Sequence, residues 1–132
     1  MNTRFLFVCT GNTCRSPMAE ALAEARDVTA TSAGVAAGAG DGAAPNAVRA
    51  LRDARGLSLR DHEPRDVSEV TLDAVDRIVA LSPTVGQRLR NEHGVDPDTL
   101  ITWTIPDPYG GSLADYRWCL EQIRLALDDL LG

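Results

Sequence analysis

Apolar residues along the chain fall into two rhythms, short continuous runs and stripes recurring every three or four positions, and the two alternate. Phe5-Leu6-Phe7-Val8 is a run of aromatic and branched residues, which suits a strand buried on both faces of a parallel sheet. Between Pro17 and Arg26, the residues Met18, Ala21, Leu22 and Ala25 recur at helical spacing, with Glu20, Glu24 and Arg26 on the polar side. Ser16 is placed to cap that helix and Pro17 to open it, because a first-turn proline lacks only an N–H that would have no intrahelical partner. Val28-Thr29-Ala30-Thr31-Ser32 alternates and stops at Gly34, predicting a second strand beside the first. Pro45 opens a helix to about Arg55, with Ala47, Val48 and Leu51 as its stripe and Gly56 as its stop. Asp66 or Ser68 is placed to cap a short helix, and residues 77–81 read as a third strand. Ser82-Pro83 repeats the cap-and-proline signal for a helix to about Glu92. Residues 100–103 supply a fourth strand, and Ser112 caps a last helix whose apolar face is Leu113, Tyr116, Leu120, Ile123, Leu127 and Leu130 or Leu131.

Strands alternating with helices predict an α/β fold, a three-layer arrangement in which an open parallel four-stranded sheet carries helices on both faces. In such a sheet the ligand lies outside the carboxyl ends of the strands, where Cys9 ends the first run. At 132 residues, one domain over 1–132 can bury its own core, and a monomer is the expectation. The net charge of -6 argues against nucleic acid and anionic membrane surfaces, which reward clustered cations. Three cysteines, an odd number, suit a reducing cytoplasm better than a secreted disulfide framework. Neither an export signal nor a membrane span is expected, since no apolar run approaches about 18 residues.

The first strand and helix are joined by Cys9-Thr10-Gly11-Asn12-Thr13-Cys14-Arg15. Gly11 and Asn12 tolerate left-handed backbone, so this loop can curl until its N–H groups converge on one anion. Cys9 then sits near a helix N-terminus and within reach of a guanidinium, two influences that favour thiolate over thiol. Arg15 offers a planar fork matched to two phosphate oxygens. Thiolate below and oxygens held around it describe phosphoryl transfer to sulfur, with inorganic phosphate or another oxyanion as a further occupant. Cys14 is either a small buried support or the partner of Cys9 in a disulfide that protects it from over-oxidation. Cys119 reads as an inert packing residue. From Val35 to Ala44 the chain is almost all Ala and Gly, which reads as a mobile connection.

Cys-x5-Arg-Ser-Pro between a strand and a helix, with its Gly-Asn pair and second cysteine, resembles the signature of the low-molecular-weight protein tyrosine phosphatase family. The resemblance runs over nearly the whole chain and implies a metal-independent, cofactor-free hydrolase acting on phosphorylated protein through a phosphocysteine. It implies that Asp107, in Asp-Pro-Tyr, is the general acid; that Asn12 and Ser16 shape the loop; and that His62 braces the loop through them. It also makes the 35–44 connection a rim of the phosphate pocket, although tyrosine-specific members often carry an aromatic there and this chain has none. Thr13 and Tyr109 are the expected selectivity rim. Thr13, and glycine after Tyr109, look more like the bacterial protein-arginine phosphatase branch, so phosphoarginine is a serious candidate substrate, with phosphotyrosine the family default. Two other readings use the same cradle, arsenate reduction and phosphoprotein binding without cleavage. The first needs a cysteine pair in and after residues 81–89, a stretch that contains none.

Overall fold

A computed structural model describes residues 3–38 and 42–132. Its strands are β1 (Arg4–Cys9), β2 (Thr29–Gly34), β3 (Arg77–Ala80) and β4 (Leu100–Thr102), and its helices are α1 (Arg15–Glu24), α2 (Pro45–Arg55), α3 (Pro83–His93) and α4 (Leu113–Leu131). All strand pairs are parallel, in the order β2-β1-β3-β4. The α/β sheet covered on both faces is therefore as the sequence pattern predicts. No helix among the described residues is long and apolar enough to cross a membrane.

The pleat of β1 divides the core. Phe5, Phe7 and Cys9 point into the layer holding α1, α2 and α4, whereas Leu6 and Val8 meet Val85 and Leu89 of α3 on the other face. A strand apolar at every position from Phe5 onward is what two covered faces require. Leu6 and Phe7 are fully buried, and each contributes about 2 kcal/mol relative to exposure. Trp103, just past β4, tilts against Phe7 at a centroid distance of 5.8 Å.

Boundaries marked by proline, glycine and serine fall where expected. Pro45 opens α2 and Gly56 ends it at φ 66°; the Ser82 side chain caps α3; and Ser112 and Asp115 form a reciprocal capping box on α4. Asp66 caps the short 3-10 turn Val67–Glu69. The first helix departs from the expectation. It starts at Arg15 with Cys14 as its capping position and no side-chain cap, so Ser16 is a first-turn residue rather than the cap. Its buried face is Met18, Ala19, Leu22 and Ala23, displaced from the predicted Ala21 and Ala25. The earlier start leaves the N–H groups of that end free of side-chain acceptors, which is the condition for receiving an anion.

Part of the connection read as mobile, residues 39–41, lies outside the described residues. Its flanks are tied down: Ala36 N–H donates to the Thr10 carbonyl at 2.9 Å, Ala44 N–H to the Thr13 carbonyl at 2.9 Å, and Ala37 N–H to Asp66 Oδ2 at 3.2 Å. Gly34, at the end of β2, lies so close to the loop after β1 that a Cβ there would fall 2.5 Å from the Thr10 carbonyl oxygen and 3.0 Å from Asn12 N. Both neighbours are backbone, so Gly34→Ala is expected to cost about 2 kcal/mol in urea unfolding and to displace the loop. An unchanged midpoint would show that the loop yields freely.

Candidate active site

Strand β1 ends at Cys9 and helix α1 begins at Arg15, and the loop between them winds around a cavity of 210 Å³ lined by Cys9, Thr10, Gly11, Thr13, Cys14, Arg15, Asp107 and Tyr109. The loop turns inward because Asn12 adopts φ 58°, a left-handed backbone that asparagine tolerates better than most residues. Buried Asn12 then anchors three segments. Its Nδ2 donates to Ser16 Oγ at 2.8 Å and Ser32 Oγ at 3.0 Å, and its Oδ1 accepts from Arg65 N–H at 3.0 Å. Every polar atom of the side chain is paired, as burial demands.

Cys9 is buried, with its Sγ 2.9 Å from Ser16 Oγ. Since Ser16 Oγ accepts from Asn12, its own proton is free to point at the sulfur, the Ala33 carbonyl at 3.4 Å being the alternative acceptor. The residue expected to cap the helix thus holds a donor against Cys9. His62 Nε2 lies 2.7 Å from the Asn12 carbonyl. That contact reaches the loop through Asn12 alone, and Ser16, expected as a second partner of His62, pairs with Cys9 and Asn12 instead.

Arg15 is 4% exposed, and the neighbours of its guanidinium are arranged unequally. Nη1 donates to the Ile105 carbonyl at 3.0 Å, and Nη2 reaches Thr10 Oγ1 at 3.4 Å and Asp107 Oδ2 at 3.6 Å. Its buried Nε has no partner among the described residues. An orphaned donor on a buried cation is costly, and this guanidinium belongs to a residue that lines the cavity, where an oxyanion is the matching partner. Asp107 remains about half exposed, its other oxygen accepting the Tyr109 N–H at 3.1 Å. Residues from the start of the chain and from the loop after β4 thereby meet at the carboxyl ends of the strands.

The remaining cysteines differ in setting. Cys14 Sγ lies 3.3 Å from Tyr116 OH and 3.6 Å from Thr13 Oγ1, and burial pushes its thiol up from the ordinary range. Burial also raises the Tyr116 hydroxyl, and takes the Cys119 thiol to about 12. Both stay protonated at neutral pH. Ser32, Arg65, Tyr116 and the Ile105 carbonyl were not recognisable as site components in sequence. Gly34 did carry a signal, since glycine at a strand end marks close backbone approach.

The family model described as low molecular weight phosphotyrosine protein phosphatase matches residues 4–132. The chain is 35% identical to the protein-arginine-phosphatase of Bacillus subtilis (strain 168), over 96% of this chain and 90% of that protein. It is 34% identical to the low molecular weight protein-tyrosine-phosphatase of Streptomyces coelicolor (strain ATCC BAA-471 / A3(2) / M145), over 100% and 93% respectively. The crystal structure of the low molecular weight protein tyrosine phosphatase from T. tengcongensis superimposes with a TM-score of 0.90 at 33% identity, covering 98% of each chain.

Proposed function

Because the chain belongs to the low molecular weight phosphotyrosine protein phosphatase family, we propose that it releases phosphate from a phosphorylated protein side chain through a phosphocysteine formed on Cys9. The observation that carries this reading is the buried Arg15, its Nε without a partner among the described residues, lining the same cavity as Cys9 and Asp107. In the first step the Cys9 thiolate attacks phosphorus, a sulfur–phosphorus bond forms, and the bond to the leaving oxygen or nitrogen breaks. Arg15 and the loop N–H groups hold the three nonbridging oxygens, where charge gathers in the transition state. Asp107, on the exposed side of the guanidinium, gives its proton to the leaving group. In the second step its carboxylate takes a proton from water, the water oxygen attacks phosphorus, and Cys9 departs as thiolate with the Ser16 O–H donating to sulfur. Asn12, with His62 behind its carbonyl, keeps the loop in shape.

The preferred substrate in this proposal is phosphoarginine. Thr13 lines the cavity with a hydroxyl that can accept from a guanidinium N–H or orient water, where an aliphatic residue would offer only a slot for a ring. The likeness to the Bacillus arginine phosphatase supports the same choice. Phosphotyrosine is the second reading, favoured by Tyr109, which is 76% exposed and positioned for a substrate ring to stack on it. Arsenate reduction has less support, because residues 81–89 hold no cysteine and Cys119 is buried with a raised thiol. Phosphate release from phosphoarginine and phosphotyrosine, side by side in EDTA, tests the choice. Thr13→Ile is expected to lower the ratio of phosphoarginine to phosphotyrosine turnover by about tenfold. An unchanged ratio would make the threonine incidental and leave phosphotyrosine as the better reading.

A further inference from the structure

Large apolar side chains left exposed among the described residues are Tyr109, Trp118 and Leu125, and two of these three share one cleft. The cleft has a volume of 390 Å³ and lies between the loop after β4 and the first turns of α4. It adjoins the reaction cavity, with Asp107 and Tyr109 lining both. Pro106, Pro108, Asp115 and Trp118 complete its walls, with Gly110 and Gly111 at the turn. Resting on the proposed phosphatase activity, we propose that this cleft receives an arginine of the substrate polypeptide, within two positions of the phosphorylated residue.

Charge and shape both select that occupant. Asp107 and Asp115 contribute two acidic side chains, and no cation among the described residues lines the cleft. Arg117, beside Trp118 on α4, reaches away to Asp53 on α2 at 3.5 Å. Asp115 uses Oδ2 to accept the Ser112 N–H at 3.0 Å, and its other oxygen has no partner among the described residues. An acidic residue would meet Asp115 as a like charge, and an apolar one would strip water from its carboxylate without replacing it. A guanidinium can stack on the Trp118 face while its N–H groups reach a carboxylate, which a compact ammonium does less well. The walls are fixed before binding: the capping box holds Asp115, and Gly111 packs so closely that a Cβ would lie 2.6 Å from Asp115 Oδ2. In an extended peptide each residue advances about 3.5 Å, and because the two cavities share Asp107 and Tyr109 as walls, the occupant of the cleft is placed close in sequence to the phosphorylated residue.

Nine-residue peptides with a central phosphorylated residue, of the kind wild type hydrolyses faster, test this when made with Arg or with Ala at the two positions on each side. Wild type is expected to favour the Arg peptides by about fivefold in kcat/KM, mainly through KM and less so in high salt. Trp118→Ala, at an exposed position, should reduce that preference to within about twofold while leaving turnover of the free phosphoamino acid unchanged. The inference is overturned if wild type shows no preference, if Trp118→Ala keeps it in full, or if that variant slows the free phosphoamino acid equally. Absence of Cys9-dependent release from the free phosphoamino acid would instead overturn the phosphatase reading on which the inference rests.

Discussion

Cys9→Ser is expected to lower phosphate release by about 10⁴-fold or more while the protein keeps its grip on inorganic phosphate. The two halves of this result come from different atoms. A serine hydroxyl at the end of β1 stays protonated, and its hydrogen-bond partner among the described residues is Ser16 Oγ, which is no base. The donors for the phosphate oxygens are untouched: Arg15 is fixed by the Ile105 carbonyl, and the loop by Asn12. Single-turnover release measures the first half, and protection against thermal unfolding by added phosphate measures the second. Loss of both would mean that the sulfur supports the loop, and retention of full release would remove Cys9 from the chemistry.

Asp107→Asn should lower turnover by about 10²- to 10⁴-fold, and the deficit should depend on the leaving group. An alkoxide, phenoxide or guanidine nitrogen needs a proton as it departs, whereas nitrophenolate leaves almost unaided. The loss is therefore expected to be large for phenyl phosphate or phosphoarginine and to shrink for nitrophenyl phosphate. Asp107 lies 3.6 Å from Arg15 Nη2, so its charge competes with the incoming anion for the guanidinium. Removing that charge should tighten phosphate binding even as turnover falls. A loss of equal size for every leaving group, with weaker phosphate binding, would assign Asp107 a structural part.

Chemistry concentrated in short spacings could be read directly. Cys9, Asn12 and Arg15 stand within one loop, and Asp107 sits between two prolines, so their meeting follows from a parallel sheet with its loops at one end. The start of α2 and the caps of α3 and α4 were legible because proline, serine and glycine act through local backbone geometry. Ser16 misled because a capping hydroxyl and one turned to a cysteine look identical in sequence; only the 2.9 Å approach to Sγ separates them. Tyr116 counted as one more apolar position on α4, since its stripe shows the ring but not where the hydroxyl goes, which is to Cys14. Arg65 enters through its backbone N–H, a group that every residue but proline carries and no pattern marks.

Ala36 is tied to Thr10 and Ala44 to Thr13, so both flanks of the connection between them are fastened to the loop after β1. Its ends are held whatever lies between them. Doubling the length of such a closed segment costs only about 0.6 kcal/mol of closure entropy, far less than a change inside the loop it borders. Diversification is then cheapest here: insertions can add new side chains between the two ties while Cys9 and Arg15 keep their geometry. In an engineered version, this is the place to graft a recognition segment.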